Sequence, residues 1–195
     1  MISAVVLAAG HTLPAGEQSS SSLLHHKPVL QWILESALAS VADEVICVTN
    51  DLSVARREIL LTDPRLIWHL NSAAASGQST FVIAGLWSSH PESDGVMFVA
   101  DDLPLVRTEL INSLIERFEN SAAWIVAASS GGRPSNPILF RRDLFPELLG
   151  LTGNDKGYSL LDKHAKETTL VEWHDENARV NGEWHRASER LKERV

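Results

Sequence analysis

Asp101 and Asp102 follow directly on the apolar run Val96-Met97-Phe98-Val99-Ala100, so two carboxylates leave the end of an expected buried strand together. Carboxylates in that position are hard oxygen donors suited to Mg²⁺, which bridges protein oxygens to substrate phosphates; the alternative role is to cap the following helix. A second chemical feature stands at the start of the chain, where the apolar run from Ile2 ends in Leu7-Ala8-Ala9-Gly10. Small residues in such a turn let backbone N–H groups approach an anion without a Cβ collision, as a phosphate cradle requires. The alternative is a tight turn closing an ordinary buried strand. A cradle also needs positive charge nearby, and residues 11–26 contain no Lys or Arg.

Both features need a sheet to bring them together. Short apolar runs at Ile2–Ala8, Glu44–Thr49, Leu66–Leu70, Val96–Ala100 and Ala123–Ala128 read as strands buried on both faces. Helical patterns lie between them at Pro28–Ser40, Leu52–Leu61, Ser79–Trp87 and Arg107–Glu119, with Pro28 as a first-turn proline, Asp51 as an N-cap, and Thr108 and Glu109 near the start of the fourth. This alternation predicts an α/β fold: a single doubly wound, mostly parallel, Rossmann-like sheet with helices on both faces, residues 1–195 forming one domain. Ligands of such sheets bind beyond the carboxyl ends of the strands, where the turn and the acidic pair both fall.

Leu7-Ala8-Ala9-Gly10, Gly16, Leu23-Leu24, Lys27-Pro28 and Val29-Leu30 resemble, without a gap, the opening LAAG-x-S-x-R-M-G-x-x-K-x-L-L-P-x-x-G-K-P-L-L of the molybdenum-cofactor cytidylyltransferases, within the nucleotidyltransferase superfamily. The resemblance implies nucleotide binding by Leu7, Ala8, Ala9, Gly10 and Gly16. It also marks departures: Pro14 stands where the family has its phosphate-binding Arg, Ala15 where it has Met, and Ser19 where it has Lys. Lys27, Arg56, Arg57 and Lys156 are the cations that could substitute from elsewhere.

The acidic segment is similar to the family's A/G-D-M/Q-P-L-V, which implies Asp102 as the catalytic, metal-binding residue and leaves Asp101 as an additional neighbour. Asn71 with Gly77-Gln78-Ser79-Thr80-Phe81 through Leu86 is similar to N-x5-G-M-x-S-S-L-x-x-G-L, the family's base-reading segment. Ser79 and Thr80 are thereby implied in nucleotide binding, while Phe81 replaces the last serine and either stacks on a base or fills the core.

Gly132 through Phe140 resembles G-R-x-G-N/H-P-V-L-F. Asp143 to Leu149 with Leu151 to Gly157 resembles L-F-P-E-L-L-x-L-x-G-D-x-G-A, with Asn154 splitting the Gly-Asp pair. These segments imply acceptor binding by Asn136, Pro137, Asp155, Lys156 and Gly157, with Arg133 and Lys156 as contacts for an anionic substrate. The alternatives are that Asn136 and Asp155 fasten turns and that the two cations are solvated surface. Near the C-terminus, Arg179-Val180-Asn181-Gly182-Glu183 falls on the family's D-I/V-D-T-P-E-D and puts Asn181, an amide without charge, at the second metal position.

Composition sets the outer limits. The 195 residues are 44% hydrophobic and 22% charged, as expected of a soluble domain with one core. With 17 basic and 25 acidic residues the net charge of −8 argues against a nucleic-acid-binding surface and repels an anionic substrate unless local cations offset it. Cys47, the lone cysteine, cannot form an internal disulfide and fits a reducing cytoplasm. The N-terminal apolar run is too short to span a membrane and lacks a basic flank.

The expected function is that of a Mg²⁺-dependent nucleotidyltransferase resembling the CTP:molybdopterin cytidylyltransferases, with activity reduced or lost through the missing cations. CTP, a pterin-type small molecule, and a molybdoenzyme or accessory protein are the partners this resemblance implies. LAAG, rather than the LAGG of the guanylyltransferase branch, favours cytidine. Two alternatives stand beside it: a non-catalytic accessory protein of molybdenum-cofactor handling that keeps the acceptor pocket, and a sugar-phosphate nucleotidyltransferase of the same fold.

Overall fold

A computed structural model describes residues 1–9, 23–24, 27–101 and 106–173 of the chain. Its strands are β1 (Ile2–Ala8), β2 (Leu23–Leu24), β3 (Lys27–Pro28), β4 (Glu44–Thr49), β5 (Leu66–Leu70), β6 (Gly95–Ala100), β7 (Ile125–Ser130), β8 (Arg133–Arg141) and β9 (Thr168–Glu172). Its helices are α1 (Val29–Leu38), α2 (Leu52–Glu58), α3 (Ser79–Ser88), α4 (Thr108–Glu119), α5 (Phe145–Leu149) and α6 (Tyr158–Lys163).

Every residue of β1, β4 and β6 is buried, which is why these strands read as unbroken apolar runs: helices cover both of their faces. One seven-stranded sheet results, in the order β5-β4-β1-β6-β8-β7-β9. The pairs β1–β4, β1–β6, β4–β5 and β7–β9 are parallel, and β8 runs antiparallel to both its neighbours. Alternate side chains of the strands feed two cores. Val29, Leu30, Ile33, Leu34, Ala37 and Leu38 of α1 form an i, i+3/i+4 stripe that packs with α4 on one face. Phe81, Val82 and Leu86 of α3 pack on the other with residues of α5 and α6. Gly85 sets the depth of α3, since a Cβ there would lie 2.4 Å from Val5 Cγ1 of β1.

The anticipated doubly wound sheet is present, with one change of order. β8 is wedged between β6 and β7, so the strand anticipated at Ala123–Ala128 is not the next neighbour of β6. Pro134, Ser135, Asn136 and Pro137 break the apolar pattern of β8, and only the stretch from Pro137 to Phe140 is buried. Boundaries differ locally too. Pro28 precedes α1 rather than entering it, and α2 ends at Glu58 because Ile59 is extended. Asp51 caps α2 as anticipated, its Oδ1 accepting from the amides of Ser53 and Val54 at 2.9 and 3.0 Å. Among the described residues, no helix is long and apolar enough to cross a membrane.

Candidate functional site

The winding direction of the sheet reverses between β1 and β6, and Leu7 lies directly across from Ala100 in that pair. Ala9 after β1 and Asp101 after β6 therefore leave neighbouring strands side by side, at a spacing of about 4.8 Å set by sheet geometry. Leu7 and Ala8 are buried on opposite faces, so only their backbone can serve a ligand. Ala9 is half-buried at the strand exit. Gly10, Pro14, Gly16, Ser19, Asp102 and Asn181 lie outside the described residues.

Asp101 is half-buried at the end of β6. Burial pushes the Cys47 thiol well above its usual range, and the negative charge of Asp101 adds to the effect. The strand end that carries it is held from the opposite side. A register shift between Ala127 and Ala128 of β7 leaves Asn136 and Pro137 of β8, joined by a cis peptide bond, without cross-strand partners. Asn136 Oδ1 accepts instead from the amide of Ala100 at 2.8 Å.

On the α3 side the loop after β5 is tied to the helix start. Asn71, 4% exposed, donates its amide to Thr49 O at 2.7 Å and its side-chain Nδ2 to Thr80 Oγ1 at 2.8 Å. Thr80 Oγ1 in turn donates to Gly77 O at 2.7 Å, which commits that hydroxyl within the loop. Phe81 is 3% exposed and belongs to the α3-side core, so it fills space rather than stacking on a base. Ser79 is equally buried, and its amide donates to Gly153 O at 3.0 Å. Gln78 N donates to Asn154 Oδ1 at 3.4 Å. The residue that interrupts the Gly-Asp motif thus meets the first turn of α3.

Asp155 is half-buried and turns inward to its own helix. Burial raises its pKa, but hydrogen bonds from the Ser159 hydroxyl and from the amides of Gly157, Ser159 and Tyr158 outweigh burial and hold the carboxyl below the usual range. The Gly157 amide donates to it at 2.7 Å. Gly157 has φ 97°, and a Cβ there would meet the Phe140 ring at 2.9 Å, so this position requires glycine.

The candidate replacement cations separate clearly. Lys27 Nζ sits 2.6 Å from Glu35 Oε2 and 3.4 Å from the centroid of the Trp32 ring, both partners on α1. Arg56 and Arg57 are exposed on the last turn of α2, where Arg57 reaches Glu58 at 3.8 Å. Lys156 is half-buried and Arg133 exposed, and among the described residues neither side chain takes part in a hydrogen bond or ion pair.

The MobA-like NTP transferase domain model matches residues 4–168, nearly all of the sheet just described. The chain belongs to that family. As a MobA-like NTP transferase domain it shares its fold with proteins of low identity. Rv0371c of Mycobacterium tuberculosis, in a complex with manganese, superposes with a TM-score of 0.68 at 22% identity, covering 98% of this chain and 97% of that one. A 4-diphosphocytidyl-2C-methyl-D-erythritol synthase of Anaerococcus prevotii gives 0.77 at 15%, covering 98% and 96%. A nucleotidyl transferase of Methanothermobacter thermautotrophicus gives 0.76 at 19%, covering 99% and 96%. No curated protein matches the sequence.

Of two further polar groups of this MobA-like domain, Asn50 belongs to no motif and Gln78 stands at the methionine position of the segment similar to N-x5-G-M-x-S-S. Asn50 Oδ1, just beyond β4, and Gln78 Oε1, just before α3, are buried without a hydrogen-bond partner. Among the described residues no group of three His, Cys, Asp or Glu side chains could hold a metal.

Proposed function

We propose that the protein is a nucleotidyltransferase-type domain of the CTP:molybdopterin cytidylyltransferase kind, with a weakened triphosphate clamp. The observation that supports this reading is the pairing of Leu7 with Ala100, which brings Ala9 and Asp101 out of neighbouring strands in a family of NTP transferases. In such a transfer an acceptor phosphate oxygen forms a bond to the α-phosphorus of CTP while the bond to the bridging oxygen breaks, and pyrophosphate leaves with the electron pair. Charge builds on the leaving group, and each preorganised positive group aimed at it contributes on the order of 10²–10³ in rate.

The donor chemistry of Asp101 and Asp102 fits a divalent cation such as Mg²⁺ or Mn²⁺, since both side chains offer hard oxygens at a strand end. Such a cation, when bound, neutralises charge on the phosphates. The chain's own contributions are the backbone of Ala8 to Gly10 as a phosphate cradle, and Lys156 and Arg133 as uncommitted cations facing an anionic, pterin-type acceptor. Pro14 and Ser19 leave the cradle without its two expected cations, and Lys27 is engaged by Glu35 and Trp32.

That engagement of Lys27 favours a second reading: an accessory protein that binds the acceptor and has lost the transfer step. Thermal unfolding with Mg²⁺ and CTP tests the first. A ligand at about 100 times its dissociation constant adds about 2.7 kcal/mol. A clear upward shift of Tm supports a nucleotide site; no shift with CTP, together with a shift on adding molybdopterin, assigns the accessory role.

A further inference from the structure

The sheet ends at β5, whose peptide groups face its one neighbour and the outside in turn. Val45 donates to Arg65 O at 2.9 Å and Asn71 to Thr49 O at 2.7 Å, so residues 65, 67, 69 and 71 turn their peptide groups toward β4. Leu66, Trp68 and Leu70 turn theirs outward. The Leu66 amide is taken by Asp63 O at 3.0 Å, whereas among the described residues the N–H groups of Trp68 and Leu70 and the carbonyls of all three have no partner.

Exposed edges are ordinarily guarded by charge, proline or a bulge. Leu66-Ile67-Trp68-His69-Leu70 has none of these: its ladder with β4 is unbroken, and residues 66–91 contain no Asp, Glu, Lys or Arg. Leu66 and Trp68 pack on the α1-side core, so alternation puts Ile67 and His69 on the α3 side. Ile67 is 38% exposed, Leu70 46%, and Trp87 in the last turn of α3 72%. An uncharged strand edge and an apolar helix thus stand open on one side of the molecule. For a chain of net charge −8, a second copy is repelled least at such a face.

We infer that β5 pairs antiparallel with β5 of a second copy, about a two-fold axis at Trp68, to form a homodimer with one continuous sheet. Trp68 then exchanges both of its hydrogen bonds with Trp68 of the second copy, and each Leu70 amide donates to Leu66 O opposite. Both free donors of each chain are thereby satisfied. The donor missing from a full ladder, the Leu66 amide, is the one Asp63 already holds. In this register Ile67 lies opposite His69 and Arg65 opposite Asn71, so no two acidic and no two Lys or Arg side chains meet across the seam. A two-fold contact of this kind closes on itself and stops at two chains.

Sedimentation of the full chain over a concentration series is expected to reach twice the 21.4 kDa of one chain. Leu70→Pro removes an outward N–H that β4 does not use, twice per dimer, and is expected to raise the dimer Kd at least about tenfold. Ile67→Lys, which places a charge on each side of the seam, is expected to do the same, with circular dichroism unchanged. Leu170→Lys, on β9 at the opposite edge of the sheet, is expected to leave the Kd unaltered. A monomer at every concentration, growth beyond two chains, or a dimer indifferent to Leu70→Pro and Ile67→Lys overturns the assignment. So does a dimer lost only in Leu170→Lys. Should the β5 variants fail to fold, amide exchange of the unmodified chain decides: protection of Trp68 and Leu70 that rises with protein concentration supports the seam, and protection independent of concentration sinks it.

Discussion

The side chain of Asn136 accepts the amide of Ala100 at 2.8 Å, continuing with a side chain a ladder whose backbone pairing stops at Phe98 and Ile138. Ala100 is 5% exposed and immediately precedes the acidic pair. Asn136→Ala therefore strands a buried N–H, at an expected cost of about 1–3 kcal/mol in denaturant unfolding. A loss much below that range would show that water or a backbone shift satisfies Ala100.

Lys156→Ala is expected to behave in the opposite way. With no partner to lose among the described residues, its stability should stay within about 0.5 kcal/mol of the parent. Its affinity for molybdopterin should fall if the cation faces the acceptor, measured by titration monitored through pterin fluorescence. Unchanged affinity would return Lys156 to the solvated surface.

Gly77 has φ 115°, and a Cβ on it would lie 2.3 Å from Gly153 O. Gly77→Ala combines a strained backbone with a collision against another loop, and the expected destabilisation exceeds about 2 kcal/mol by thermal or chemical unfolding. Retained stability would mean that the two loops separate readily.

Restoring Pro14→Arg together with Ser19→Lys should tighten Mg²⁺·CTP binding, since the pair returns the cations that the opening motif lacks. Isothermal titration of both proteins checks it. Tight binding by the unmodified chain would show that the triphosphate clamp is already supplied by other residues.

In a metal titration, Asp102→Asn is expected to abolish Mn²⁺ or Mg²⁺ binding, whereas Asp101→Asn should leave most of it, because the resembling motif carries its metal-binding Asp at the position of Asp102. The reverse pattern would exchange the two roles.

The Asp155 carboxyl lies below its usual range in the folded chain, so its contribution is fully present above the unfolded pKa, about 4, and is lost as pH falls through the folded value. Asp155→Asn should therefore lower Tm at neutral pH and flatten the acid limb of the Tm–pH curve. An acid limb of unchanged slope would mean that other carboxylates carry it.

Much of this architecture can be read from residue types. β1, β4 and β6 are unbroken apolar runs because both faces are covered, and α1 and α4 carry regular apolar stripes. β8 hides behind Pro134, Ser135, Asn136 and Pro137: the first two pair with β7 despite their type, and the last two fall in the register shift that frees Asn136. In the candidate site the turn and the acidic pair show in the sequence because their spacing to strand ends is local. Gln78 and Asn50 do not, since what distinguishes them is a missing donor, visible only once the surrounding atoms are placed. The fates of Lys27 and Thr80 depend likewise on neighbours that the linear pattern does not name.

The wedged position of β8 imposes an order of assembly on a chain emerging from the ribosome. β5, β4, β1 and β6 can pair as soon as residue 100 is available, but β7, synthesised next, has no place beside β6. It must wait until β8 has folded back between them. During that interval the central strand β6 presents an open hydrogen-bonding edge, and nascent chains halted between residues 100 and 141 would be the ones most prone to pair with each other.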